Sequence, residues 1–444
     1  MTCPGGFGDI SGFRKQGRDP IQGGTVIFAR FVITALVGLV LSLGSYYALH
    51  TVDFSPTTPD STASAGSMTR VSTLPPPSKG ESPLIRVCLT SGPVSSLELQ
   101  VDGPFTLQSI GSETPLMKGK VLKETRVQCV GQTIRVGRQT LRGTRLELIP
   151  QTSPTVWVNG HQYRGQLRIY RQPGGKLLPI NVLPLEDYIA SVVDSEMPVA
   201  FPAAARKAQA IVSRTYAIYQ MRAQRSHPYF DVYSSTRSQN YLGYQYLSKG
   251  RRLAGETKHG RQIADETAGL VCTHQGKVFC TYYSAVCGGR TTQGDLVFSD
   301  AAPPLKAVSC DWCREAKFYR WTEKFTKQTT THKLASLLGS SRKKLNSIRR
   351  EDNKPLTPAS SFAATNGEKQ VSLSAVDLRR RLSLPSNSFE VWEDSQHFLF
   401  QGRGHGHGVG LCQWGARGLA LAGKTAAEIL HYYYPGAQVA PLPW

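Results

Sequence analysis

With 444 residues, the chain is long enough to bury one large core or about two to three ordinary ones. Its 52 Lys and Arg against 31 Asp and Glu leave a formal net charge of +21, a balance that calls for an anionic partner: nucleic acid, a membrane surface or a carboxylate-bearing polymer. The basic residues are mostly dispersed, and the local clusters at Lys249 to Arg252 and Arg342 to Arg350 match no nucleic-acid-binding module, so no nucleic-acid partner is expected.

In chain order, residues 1–30 carry Arg14, Lys15, Arg18 and Arg30 and read as a cytoplasmic tail. Phe31 to Leu49 holds no charged residue over 19 positions, enough to cross a bilayer core as a helix. No Lys or Arg follows until Arg70, so residues 31–50 are expected to be a single-pass anchor in the inner (cytoplasmic) membrane with the body extracytoplasmic. A cleaved signal peptide is the rival, but its apolar core is usually shorter and the nearest Ala-x-Ala, Ala63-Ser64-Ala65, lies far downstream. Residues 51–82 are rich in Ser, Thr and Pro, ending in Pro75-Pro76-Pro77, and read as a semi-extended linker.

From residue 83 the texture changes. Ile85 to Leu89, Leu97 to Val101, Thr133 to Val136, Arg145 to Ile149, Val156 to His161 and Gly165 to Tyr170 alternate with period two between turn residues, so 83–180 should be β-rich. Helix is expected near Leu185 to Val193. A second should begin at Pro202 and run to about Arg222, narrow enough through Ala203, Ala204, Ala205, Ala208 and Ala210 to pack closely. Glu196-Met197-Pro198 falls between them at a forced break, because Pro198 disfavours helix at Met197. Gly269 to Thr273 and Val278 to Ser284 read as further strands. Residues 325–370 are basic and weakly patterned, a surface excursion with one short helix around Leu334 to Leu338. The fold class is thus α+β: a β-rich first part, then a helical catalytic segment and further strands, behind one N-terminal transmembrane helix.

Within this plan Glu196 is the acid to single out. Val192, Val193, Val199 and Phe201 flank it, and apolar surroundings raise a carboxyl pKa, as a general acid at neutral pH requires. The alternative is a helix-terminal glutamate paired with a base such as Arg206. From Gly402 to Gly415, glycine alternates for nine residues with other types. In an extended backbone, Arg403, His405, His407 and Val409 share one face while the other is bare, open to a second backbone or a ligand. The spacing fits neither a phosphate loop nor a dinucleotide fingerprint. Of nine cysteines, Cys3 lies before the apolar segment and eight follow it. Cys272 and Cys280 flank a turn and could bridge a hairpin, and Cys88 and Cys129 could pair.

Taken together, Leu185-Glu186-Asp187-Tyr188, Ser195-Glu196-Met197-Pro198, Lys207-Ala208-Gln209-Ala210, Ser213-Arg214-Thr215-Tyr216, Ser284-x-x-Cys287-Gly288-Gly289 and the glycine run followed by His431 to Gly436 resemble the SpoIID/LytB family. Weaker blocks at Asn159-Gly160, Tyr163-Arg164-Gly165 and Leu378-Arg379 to Phe389 fit the same order. The resemblance spans about residues 83–437 of a domain placed at 83–444, with its catalytic part at 181–444. It implies a lytic transglycosylase, a carbon–oxygen lyase of cell-wall remodelling, that cleaves between N-acetylmuramic acid and N-acetylglucosamine in peptide-stripped peptidoglycan strands. It also implies Glu196 as acid then base, Arg214 as a second catalytic residue, and Tyr283, Ser284, His407 and Gln413 as substrate-binding residues, with His405 a surface for sugar stacking. No cofactor is required for that chemistry. Relatives that enhance a cell-wall amidase supply the alternative, a non-catalytic wall-binding activator.

One departure from the family pattern stands out. Zinc-containing members carry Asp-x-Cys-x-x-Thr-His-Cys-Gln after the arginine helix, whereas this segment reads Asp231-Val-Tyr-Ser-Ser-Thr-Arg-Ser-Gln239, so that site cannot form. Cysteines stand instead at Cys287, Cys310, Cys313 and Cys412. They suit either a closed structural zinc site or a pair of disulfides.

Overall fold

Alternation in the first hundred residues of the body does what a half-buried strand requires: it sends every second side chain into a shared core. In the computed structural model, which describes residues 73–76 and 82–442 except 226, 339–344, 352–355, 357–359 and 368, these runs pair into two sheets. One is seven-stranded, ordered Val232–Tyr233, Leu84–Cys88, Lys176–Pro184, Gln166–Gln172, Arg145–Pro150, Phe105–Ser109 and Pro115–Gly119. The other is eight-stranded, ordered Arg251–Ala254, Gln245–Ser248, His161–Tyr163, Val156–Val158, Ser96–Val101, Leu122–Val130, Thr133–Val136 and Gln139–Leu141. Ile85, Val87, Leu99, Val101, Leu146, Leu148 and Ile169 from both sheets enter one core. The strand Lys176–Pro184 has no alternation to betray it. Leu177 to Leu183 are all buried, and Pro179 weighs against a central strand, yet it is paired on both sides.

The helices follow the punctuation. Helix α1 (Leu185–Glu196) stops where Pro198 forces Met197 into an extended conformation, φ −134° and ψ 125°. Helix α2 (Ala203–Ala223) starts behind Pro202 and is buried on two sides. Ala210, Ala217 and Ile218 face the sheet core, while Ala205, Ala208, Ile211 and Val212 face a second core with Leu270, Phe279, Val286, Leu411 and Tyr433. A helix pressed from both sides must be slim, which explains its alanines. Helix α3 (Lys258–Glu266) packs against α1 and begins at Thr257, whose side chain accepts from the Gly260 N–H.

The stretch expected to be a surface excursion is a folded subdomain instead. Trp321–Thr326, His397–Gly402 and Phe389–Glu393 form one three-stranded sheet, and Ser347–Arg350, Ser361–Asn366 and Lys369–Ser374 another. Helices α4 (Lys327–Leu334) and α5 (Ala375–Leu382) complete it around Leu334, Phe362, Leu378, Phe389, Phe398 and Phe400. The short helix therefore lies before Leu334 rather than after it, because Thr326 caps it by accepting from the Thr329 N–H. Helices α6 (Gln413–Leu421) and α7 (Ala426–Tyr433) close the second core, and the last strand, Gln438–Pro441, returns to pair with Leu270–His274.

The body is thus mixed α+β, but the membrane expectation is corrected. No helix among the described residues is long and apolar enough to cross a membrane, and the expected anchor at 31–50, like most of the linker, lies outside the described residues. The placement as a single-pass inner-membrane protein is withdrawn on that finding.

Candidate functional site

Glu196 ends α1, where the break at Met197 and Pro198 turns the chain away and leaves its carboxyl facing a cavity of about 500 Å³. The ion pair with Arg206 is not formed, because Arg206 is fully buried against Asp194. Burial raises the Glu196 pKa above the ordinary carboxyl range, and three hydrogen bonds oppose it: from the Asn240 N–H at 2.6 Å, and from the side chains of Tyr283 and Gln413. Burial wins. The carboxyl therefore keeps its proton to higher pH than an ordinary one, with hydrogen-bond donors facing it.

The cavity brings together Glu196, Tyr283, Ser284, His407 and Gln413, with Tyr216, Ser238, Asn240, Phe298, Arg379 and His405 also in its lining. Tyr283 and Gln413 are held from behind: Gln239 donates to the Tyr283 hydroxyl at 3.2 Å, and the Gln413 amide donates to Gln209 at 3.3 Å. The Ser284 hydroxyl is buried and has no protein partner, a polar atom left for whatever fills the space. Glu196 is the single carboxylate among the described lining residues.

The glycine run takes a different shape from the extended ribbon expected of it. Gly404, Gly406, Gly408 and Gly410 all have positive φ, between 71° and 105°, so the chain is not an extended ribbon and His405, His407 and Val409 do not share one face. Val409 is in the core, while His405 and His407 line the cavity. The bare side meets other protein atoms: a Cβ on Gly410 would come 1.9 Å from the Tyr282 carbonyl oxygen, and one on Gly406 would come 2.9 Å from Ser284 Cβ. The missing side chains thus let the Tyr282 to Cys287 segment lie against the run and align the two cavity walls. His407 is wedged edge-on to Tyr282 and Phe298, and its Nδ1 accepts from the Val409 N–H at 3.1 Å. Burial, reinforced by the Arg379 charge, lowers its pKa to about 4, so at neutral pH it is a neutral ring with its proton on Nε2. His405 stacks obliquely on Phe318, with centroids 4.8 Å apart.

Arg214 stands apart from this group. It is fully buried and absent from the cavity lining, with Nε and Nη2 gripping Glu186 at 2.7 and 2.6 Å, Nη1 on the Leu270 carbonyl at 3.1 Å and Nη2 also on the Ala264 carbonyl. It cannot touch a substrate in the cavity. Instead it ties the first turn of α1 to α2 and to the strand at Leu270, and so fixes the helix that ends in Glu196. Arg214→Met is expected to lower stability by about 3–5 kcal/mol, as for a broken buried pair, with the loss read by denaturant unfolding.

The four cysteines converge. The Sγ atoms of Cys287, Cys310, Cys313 and Cys412 all lie within 4.8 Å of one another and are buried, a cluster able to hold a metal ion. Cys287 and Cys313 are 3.6 Å apart, far beyond a disulfide at about 2.05 Å but near the sulfur–sulfur edge of about 3.8 Å in a tetrahedral site with bonds of about 2.3 Å. The N–H groups of Cys287 and Gly415 both point at Cys412 Sγ from 3.3 Å, as they would towards a thiolate. All eight described cysteines are free, so neither Cys272 with Cys280 nor Cys88 with Cys129 is bridged. Cys88 and Cys129 belong to different sheets.

Tyr216, Ser238, Phe298, Asn240 and Arg379 line the cavity without having been expected as site residues, and the last two matter most. Asn240 acts through a backbone N–H, which no side-chain pattern reveals. Arg379 comes from the subdomain, and its only signal was membership of a weak motif block.

Comparisons with known proteins agree with the motif blocks. The stage II sporulation protein (SpoIID) family model matches residues 173–274. Stage II sporulation protein D of Bacillus subtilis (strain 168) is 32% identical over 266 residues, covering 58% of this chain and 75% of its own. An uncharacterised protein of Brachyspira hyodysenteriae is 29% identical over 359 residues, 80% of this chain and 92% of its own. The amidase enhancer of B. subtilis is 25% identical over 346 residues, 66% of this chain but 46% of its own length.

Proposed function

The chain belongs to the stage II sporulation protein D (SpoIID/LytB) family, and from that premise we propose that it acts on the cell wall as a peptidoglycan lytic transglycosylase. Its substrate is the bond between N-acetylmuramic acid and N-acetylglucosamine in peptide-stripped strands. Glu196 gives its proton to the glycosidic oxygen as the bond to the muramic anomeric carbon breaks. The carboxylate left behind, facing the Asn240 N–H, then takes the proton of the muramic 6-hydroxyl as that oxygen closes on the same carbon. A 1,6-anhydro ring results, no water is consumed, and Glu196 is returned protonated.

One observation carries this reading: a protonation-favoured carboxyl that is the single one among the described residues of its cavity. A hydrolase that activates water needs a second carboxylate about 6.5–9.5 Å away, or one about 5–5.5 Å away as nucleophile. Asp300, which accepts from the Tyr282 hydroxyl at 2.7 Å, is exposed and outside the lining. Arg214 serves as a positioning residue, and Tyr283, Ser284, His407 and Gln413 bind the strand or orient the acid. The test is product mass. Peptide-free strands digested with the full chain should give ends one water lighter than hydrolysis products, whereas reducing ends would identify a muramidase.

For the cysteine cluster, the finer reading is a structural zinc held by Cys287, Cys310, Cys313 and Cys412. Bound there, zinc would tie together the segments that carry Ser284 and Gln413; four thiolates leave no open position for Lewis-acid chemistry. A second functional reading, a non-catalytic activator of a wall amidase, is favoured by the similarity to a protein named amidase enhancer. Stimulation of an amidase by Glu196→Gln protein that itself cuts no strand would support it.

A further inference from the structure

The cavity holds a cation that the chemistry above does not use. Arg379 lies in the last turn of α5, whose Leu378 and Leu382 are buried in the subdomain core and whose Ser374 cap accepts from the Asp377 N–H at 3.0 Å. The helix is therefore fixed, and Arg379 projects from it half-buried into the cavity beside His405 and His407. Its guanidinium has no carboxylate, carbonyl or hydroxyl partner among the described residues. The other arginine of the lining, Arg237, is engaged: it donates to the Ser91 carbonyl at 2.9 Å and lies over the Tyr233 ring. Nor is the subdomain loosely placed. The Gly406 N–H donates to the Pro385 carbonyl at 2.9 Å, and Ser386 joins the Arg403 carbonyl to the Trp321 indole, so the subdomain is docked directly on the glycine run.

A partly desolvated guanidinium with no internal anion is an unfilled receptor for one, and its planar fork suits a carboxylate. It also shares the cavity with the unpartnered Ser284 hydroxyl. Arg379 depresses the pKa of both histidines but does not figure among the causes of the Glu196 shift, which places the cation towards the histidine side of the cavity.

We propose that Arg379 is the specificity-determining residue of this cavity: it receives the free lactyl carboxylate of a muramic acid unit, and so selects strands from which the peptide has been removed. The assignment rests on the glycan reading of the site. A muramic acid still bearing its peptide offers a neutral amide in place of that carboxylate, and the ion pair is lost.

The test is binding, which needs no turnover. Full-length Glu196→Gln protein is titrated with three oligosaccharides of equal length: peptide-free muramic acid–glucosamine strands, the same strands with the carboxylate methylamidated, and chitin oligosaccharide. The carboxylate form should bind about 10- to 100-fold more tightly than the other two, as one charge-assisted pair implies. Adding Arg379→Met should remove that preference while leaving the melting temperature and chitin binding unchanged, and Arg379→Lys should restore part of it. The proposal is overturned if the three oligosaccharides bind alike, or if Arg379→Met keeps the preference. A protein that shows the preference but whose wild type releases no product would leave Arg379 as carboxylate receptor and remove the lyase reading instead.

Discussion

Glu196→Gln is expected to lower strand cleavage by about 10²–10⁴-fold, the range for removing a general acid, while the protein stays folded and keeps its affinity for glycan. The substitution is nearly isosteric, and the amide oxygen can still accept from the Asn240 N–H that now bonds Glu196 at 2.6 Å. What it lacks is the proton. Because the same group must later take a proton back, no neighbour can substitute, and no second carboxylate stands in the described lining. Retained cleavage by the glutamine variant would remove Glu196 from the mechanism. If only an amidase were stimulated, wild type and variant should do so equally.

The pH profile follows from the same group. Its pKa is raised by burial, so the active, protonated form persists above the ordinary carboxyl range, and the rate should fall as pH rises through the raised value. His407 adds no limb near neutrality, since its pKa of about 4 leaves it neutral there. A two-carboxylate hydrolase would instead give a bell. The hydroxyl of Tyr283 favours the anionic form of Glu196, so in Tyr283→Phe the descending limb should move to higher pH.

Much of this site could be read from residue order, because the chemistry sits at a punctuation mark. Pro198 ends the helix at Glu196, and the apolar neighbours that announce a raised pKa are within five residues. What could not be read is long-range. Arg214 is named by its motif but not by its role, which depends on Glu186, Leu270 and Ala264 meeting it. The glycine run advertised a bare side, but whether ligand or backbone filled it depended on the Tyr282 to Cys287 segment, over a hundred residues earlier. Residues 325–370 looked like loose surface because their apolar positions are sparse. Their core is completed by Phe389, Phe398 and Phe400 from beyond that window.

Zinc analysis of the full chain, purified without chelator, should return about one zinc per molecule, and Cys313→Ser and Cys412→Ser should each lose it. The effect on stability should be large. A structural zinc contributes about 10–16 kcal/mol of apparent binding energy in small domains, comparable with the whole stability of an ordinary domain. Even a loss of about 5 kcal/mol would lower melting by about 5–8 °C in a body of this size. Cys129→Ser is the control, since Cys129 is partly exposed and outside the cluster. Activity should fall with the metal for a geometric reason. Cys412 caps α6 immediately before Gln413, and Cys287 lies just beyond Ser284, so loss of the clamp releases two walls of the Glu196 cavity at once. Protein that contains no zinc and shows five free thiols rather than nine when denatured, yet melts where it should, would establish two disulfides in the cluster in place of the metal. The cavity walls would then be joined by covalent bonds, and reductant rather than chelator would loosen them.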